Sequence, residues 1–130
     1  MEQMARQLKS LFETLDKENF EEVSRHLTND VELADDLTGG WLRGRDDVSV
    51  YLKQQKGVVT NVKSVLSSIS TSKLSAQSRL ITFFVTQSYL LSGRPHEEEM
   101  LGVAIFDSVG EQDFLLRLLH LAPLRPAINL

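Results

Sequence analysis

The stretch Arg79-Leu80-Ile81-Thr82-Phe83-Phe84-Val85-Thr86-Gln87-Ser88-Tyr89-Leu90-Leu91 decides how this chain is read. Side chains of a strand alternate between its two faces. The odd set is Ile81, Phe83, Val85, Gln87, Tyr89 and Leu91, and the even set is Leu80, Thr82, Phe84, Thr86, Ser88 and Leu90. Both sets carry apolar groups, whereas an antiparallel strand with one wet face reads as half polar. The stretch is therefore expected to be a strand covered on both sides.

Working outward, the period of two holds over most of the second half of the chain. Val58–Ser70 is a long Ser/Thr-rich strand with Val62, Leu66 and Ile69 as its apolar points. Residues 72–78 and Ser92-Gly93-Arg94-Pro95 are turns on either side of the central strand. Glu98–Ser108 holds a third run, Gly110-Glu111-Gln112 turns the chain, and Phe114–Leu121 is the last strand, closed by Pro123 and Pro126.

Upstream the period is helical. Met4, Leu8, Leu11, Phe12 and Leu15 form one apolar stripe. Asn19 is placed to cap a second, short helix burying Phe20, Val23 and Leu27, with Glu22 three residues on as in a capping box. Val31 and Leu33 alternate with Glu32 as a short strand, and Asp35 to Gly40 is a turn-rich loop. Asp46 or Asp47 opens a third helix carrying Val48, Tyr51 and Leu52, and Gly57 is suited to end it. The order predicts an α+β fold with helices on one side of an antiparallel sheet.

Composition narrows the function classes. A chain of 130 residues with 42% apolar and 25% charged residues is one ordinary globular domain. A net charge of −4 without a Lys/Arg-rich run carries no nucleic-acid footprint. With no cysteine, disulfides, thiolate metal sites and a cysteine nucleophile are excluded. No segment nears the roughly 20 apolar residues of a membrane helix, and no signal-peptide pattern opens the chain. The expectation is a cytoplasmic protein with no membrane, metal or cofactor.

About three short helices cover one face of such a sheet. The last strand nonetheless shows Leu115, Leu119 and Leu121 on one side and Phe114, Leu116 and Leu118 on the other. An apolar patch of that size is unusual on a monomer. A homodimer through the outer sheet face is expected, with a partner domain as the alternative.

Together these features resemble the nuclear transport factor 2-like superfamily, which includes SnoaL-like polyketide cyclases and ketosteroid isomerases. The resemblance runs from Leu8 to Pro123. It is carried by Leu27-Thr28-Asn29-Asp30-Val31-Glu32-Leu33-Ala34-Asp35, a Gly-rich loop, and Gly44-Arg45-Asp46-Asp47-Val48. It implies a cystatin-like cone, a curved antiparallel sheet wrapped around about three N-terminal helices with an apolar pocket inside. It also implies dimers through the outer face. Set against ketosteroid isomerase, whose chemistry uses an Asp base with a Tyr and a protonated Asp as oxyanion donors, the base falls on Asp35. The donors fall on Leu11 and near Ala104. Losing donors aimed at the developing enolate removes the largest catalytic term, so steroid isomerisation by that route is not expected.

The same alignment puts Arg117 and Leu121 on the pocket face of the last strand and His120 outside. Tyr51 points in from the third helix, Met100, Gly102 and Ala104 line the third run, and Phe83, Val85, Gln87 and Tyr89 face inward. Asp35 is then a general base or anchor with its pKa raised by an apolar surround, or a loop-start Asp bonded to backbone amides. Arg117 pairs with Asp35, holds a ligand carboxylate bidentately, or forms a structural ion pair. Trp41 stacks a ligand at the pocket mouth or packs in the core. His120 reads as a packed histidine on the dimer face. Three scattered histidines, His96 among them, do not make a metal site.

The leading expectation is a domain binding a small apolar or acidic organic ligand. Its enzymatic form is a cofactor-free isomerase, cyclase or dehydratase using Asp35 as base. The alternative is a non-catalytic dimeric interaction module whose pocket is filled by its own side chains. Cavity volume discriminates the two, since a ligand site needs roughly 300 Å3.

Overall fold

A computed structural model of the chain describes residues 2–35, 40–55, 59–110 and 113–124, with the side chains of Glu2 and Asp35 outside that set. The helices are α1 (Glu2–Asp16), α2 (Phe20–Arg25) and α3 (Arg45–Gln55). The strands are β1 (Leu27–Asp35), β2 (Gly40–Arg43), β3 (Val59–Lys73), β4 (Ser78–Leu91), β5 (Arg94–Ser108) and β6 (Phe114–Pro123).

The helical stripe of α1 is buried at Met4, Leu8, Leu11 and Phe12. Asn19 caps α2 by accepting from the Glu22 amide at 3.4 Å. The reciprocal half of the capping box is not made, because the Glu22 carboxylate is taken up by Arg25 at 2.7 Å and His26 at 2.9 Å. The α3 helix begins at Arg45, after Gly44 at φ +100°. Gly57, expected to end it, lies outside the described residues, as do Glu111 and Gln112 of the last turn.

The six strands form one sheet in the order β2-β1-β6-β5-β4-β3. Two features differ from expectation. Trp41 and Leu42, read as following a loop, belong to a short strand pairing antiparallel with β1. In addition, β1 runs parallel to β6, so the sheet is mixed rather than antiparallel. The reason is topological. Strands joined by hairpins must be antiparallel, but β1 and β6 are separated by α3 and four strands, and such a long crossover permits parallel pairing.

The β4–β5 hairpin closes on Ser92 and Gly93 alone, with Leu91 opposite Arg94. Both turn residues have positive φ, +53° and +78°, as a two-residue hairpin twisted like its strands requires. Strand β5 therefore starts at Arg94, four residues before the expected Glu98. Pro95 is tolerated there because β6 pairs with β5 only from Met100 onward, leaving its nitrogen no ladder bond to make.

Inner-face residues pair in rows across the strands: Ile81, Ala104, Leu119 and Leu33 in one, and Phe83, Gly102 and Leu121 in the next. All of these except Gly102 belong to the buried hydrophobic core beneath the helices, and Gly102 is itself buried. The Phe83 ring lies on Gly102, where an added Cβ would collide with it. Phe12 of α1 meets the same ring edge-on at 5.7 Å between centroids.

That contact sets the space between helix and sheet. Gly102→Ala should destabilise the domain by about 1–3 kcal/mol, as overpacking of a filled core does. Pairing it with Phe83→Leu should recover part of the loss, because the two positions share one volume. Urea unfolding of the four forms measures it, and simple additivity would show that the ring and the glycine are not coupled.

Candidate functional site

The interior of the cone is where the sequence placed a pocket. Between the helices and strands β1 and β6 it holds a void of about 20 Å3, bounded by Leu11, Leu15, Val31, Leu52, Leu116 and Leu119 among others. That is room for about one water, and its lining offers no polar side-chain pair to hold one. The inward set of β4 is as expected: Ile81, Phe83 and Val85 are at most 1% exposed. They act as filling rather than as walls of a hollow.

The predicted polar points distribute as follows. Gln87 faces inward and its Nε2 donates to Ser64 Oγ at 3.1 Å. Ser64 in turn donates to Asp16 at the end of α1, through its backbone N–H at 2.7 Å and its hydroxyl at 2.9 Å. This chain of bonds fastens α1 to β3. Tyr51 packs against the core from α3 and Leu121 is part of that core. Tyr89 stacks on His96 across the hairpin, 5.6 Å apart at 11°. Leu11 and Ala104, standing where the isomerase carries its donors, are buried apolar residues. Asp35 ends β1 in register with Leu121 and Gly40, and its carboxylate lies outside the described residues.

Arg117 requires a correction. The family alignment put it inside with Leu121, but the β5–β6 register shifts between Ile105 and Phe106, which pair with Leu118 and Leu116. Arg117 is the extra residue of this bulge. Its Nε meets Asp107 at 2.7 Å, and Asp107, adjoining buried Phe106 on β5, also accepts from Ser78 at 2.7 Å. The pairing is a structural ion pair on the outer side of the sheet. The signal was present in Leu115-Leu116-Arg117-Leu118-Leu119. Only one added residue allows Leu116, Leu119 and Leu121 all to be buried.

Trp41 also lies away from the interior. It is 59% exposed, donates to Glu32 at 3.2 Å and meets His120 edge-on at 6.1 Å. Trp41, Ala34, His120 and Val103 form one cross-strand row, so His120 is outside as expected. Neighbouring rows run Leu80, Ile105, Leu118 and Phe84, Leu101, Ala122. Phe84 and Leu101 are 40% and 39% exposed. The outer face is thus an apolar surface three strands wide, with the helices packed on the other side.

Among the described residues no group of three or more His, Asp or Glu side chains is arranged to hold a metal ion. No described helix is long and apolar enough to cross a membrane.

No protein-family model and no curated protein matches this sequence. Solved structures match in shape. A candidate dehydratase of the nuclear transport factor 2-like family from Streptomyces avermitilis superposes with a TM-score of 0.84 at 14% identity, over 96% of this chain and 97% of that one. A protein with a cystatin-like fold from Caulobacter vibrioides gives 0.82 at 16% identity, over 96% and 89%. The association domain of C. elegans CaMKII gives 0.72 at 13% identity, over 92% of each chain. At such identities the likeness is one of fold.

The Asp16 carboxyl is pushed above its ordinary value, chiefly by burial, against the opposing effect of its two bonds from Ser64. A carboxyl raised in the folded state favours folding most when protonated. Its contribution is therefore complete below the unfolded value of 3.8 and is lost as pH rises through the folded value. Asp16→Asn keeps an acceptor for the Ser64 amide and removes the charge. Relative to the wild type, the variant should gain stability from pH 4 to pH 7 in urea unfolding, and parallel profiles would reject the assignment. Asp16→Ala should cost about 1 kcal/mol, because the half-buried Ser64 donors lose their acceptor.

Proposed function

This chain has the nuclear transport factor 2-like, cystatin-like fold, and on that premise we propose that it serves as a self-pairing interaction module. The observation that carries the reading is the filled cone: an interior void of about 20 Å3 against the roughly 300 Å3 of a small-molecule site. The apolar outer face built on Phe84, Leu101, Val103, Ile105 and Leu118 supports a second copy as its cover. A strand face related to itself by a two-fold axis presents the same rows to its partner. The likeness in fold to a kinase association domain supports the same reading.

A second reading rests on the likeness to a candidate dehydratase. In it the cone opens to take a small apolar or acidic molecule, and Asp35 acts as base in a cofactor-free isomerase, cyclase or dehydratase. It ranks second because Phe83, Phe12 and Leu121 would have to withdraw from the packed core, and because Leu11 and Ala104 supply no oxyanion donors. Both readings describe a protein of the cytoplasm, bound to neither membrane nor nucleic acid.

Light scattering on a sizing column separates the possibilities. The wild type should run at twice 14.7 kDa. Val103→Arg sets a charge at the centre of the proposed contact, where burial without a partner is costly. It should weaken pairing at least about 100-fold, equivalent to about 3 kcal/mol, with unchanged far-ultraviolet dichroism. A wild type that stays monomeric at about 100 μM, far above the dissociation constant of a dimer of about micromolar affinity, would sink the proposal.

A further inference from the structure

A recess of about 280 Å3 lies not inside the cone but between α2 and α3. We infer that this groove binds a small phosphorylated organic molecule, with Arg45, Lys53, Ser24 and Ser49 holding the phosphate and Phe20 flanking the organic part.

Charge is the first observation. Arg25, Arg45 and Lys53 line the groove against one carboxylate, Glu21, on a chain whose net charge is −4. Among the described residues neither Arg45 nor Lys53 makes an ion pair. Arg25 is bound to Glu22 at 2.7 Å, but its side chain is 67% exposed, and an exposed pair of that kind is exchanged at little cost.

The second observation is an unfilled donor. Arg45 is anchored by its Nη2, which donates to the Leu27 carbonyl at 3.1 Å. Its Nε is buried and has no hydrogen-bond partner. A guanidinium carries five donors in a fixed fork, and a buried charged donor left without an acceptor is costly. The Nε lies beneath the groove surface, so an anion there accepts from it once the guanidinium turns outward.

The donor set selects the chemistry. A carboxylate is satisfied by the guanidinium fork alone. Here the fork stands with the Lys53 ammonium and two hydroxyls, Ser49 donating to Ser24 at 3.3 Å. Several donors of different geometry suit a tetrahedral dianion, to which Lys contributes as a point charge. The groove is larger than inorganic phosphate requires, and Phe20 gives an apolar side on which an organic body rests. It lies on the helical side, away from the outer sheet face, so it stays open whether or not the chain pairs with itself.

The test is an amide NMR titration of the full chain with phenyl phosphate, at constant ionic strength, beside benzoate and phenol. Saturable shifts along Phe20–Arg25 and Arg45–Lys53 are expected with phenyl phosphate, and at least tenfold weaker binding in Lys53→Gln and Ser49→Ala. These variants leave the Arg45–Leu27 anchor intact, and an unchanged spectrum elsewhere checks that they fold. Equal binding of benzoate, equal affinity in Lys53→Gln, or shifts that never saturate would each overturn the inference.

Discussion

A sheet closes around a helix only when the side chains between them fill the space at the density of a protein interior. Here the central fit is between Phe83 and the missing side chain of Gly102 on the neighbouring strand. The ring lies on the β5 backbone, and Phe12 from α1 meets it in an edge-to-face arrangement. Helix, β4 and β5 are thereby fixed by one aromatic pair. At its C-terminal end α1 is held differently, by the Asp16 carboxylate accepting from Ser64 of β3. One contact is dispersive and the other polar, and between them they set how far the sheet curls over the helix.

Filling the cone has a consequence for function. The fold is associated with a hollow, and a hollow offers a concave apolar place for a ligand. When Phe83, Leu121, Leu116 and Leu119 occupy that place, the surfaces left for recognition are on the outside. Two remain, and they differ in character. The outer sheet face is broad, apolar and nearly uncharged along its middle rows, which suits another protein surface. The α2–α3 groove is narrow, cationic and lined with hydroxyls, which suits a small anion. They stand on opposite sides of the sheet, so neither need exclude the other.

Much of this was legible in the sequence. Apolar residues on both faces of Arg79–Leu91 pointed to a strand covered on both sides, and that strand is β4. The Met4–Leu15 stripe gave α1, and Ile81, Phe83 and Val85 turned inward as parity requires. Two things were hidden. Parity is reliable only while the strand is regular, and the bulge at Arg117 moved that side chain to Asp107. The short strand at Gly40–Arg43 has too few residues to show a period, and only its pairing with β1 defines it. That pairing carries Trp41 to the outer face beside His120, a place no local pattern around Gly39 and Gly40 signals. The groove was likewise invisible, because Arg25 is far in sequence from Arg45 and Lys53 and joins them only when α2 packs on α3.

The edges of the sheet explain why a face, rather than a strand edge, is the surface open to association. An edge strand offers a row of unpaired backbone groups to any passing chain. One edge here is β2, only four residues long. The other is β3, which is fifteen residues long and would be a strong template if regular. It is not regular. Its ladder with β4 shifts register between Thr60 and Lys63 and again between Ser67 and Ser70. Asn61 and Ser68, inside those shifts, take φ of +53° and +52°. Each bulge twists the strand and interrupts the sequence of free donors and acceptors, while Lys63 and Lys73 add charge along the same strand. With both edges blunted, an added strand finds no continuous partner. The remaining way to bury apolar surface is through the outer face, where Phe84, Leu101, Val103 and Ile105 sit on β4 and β5, away from both edges.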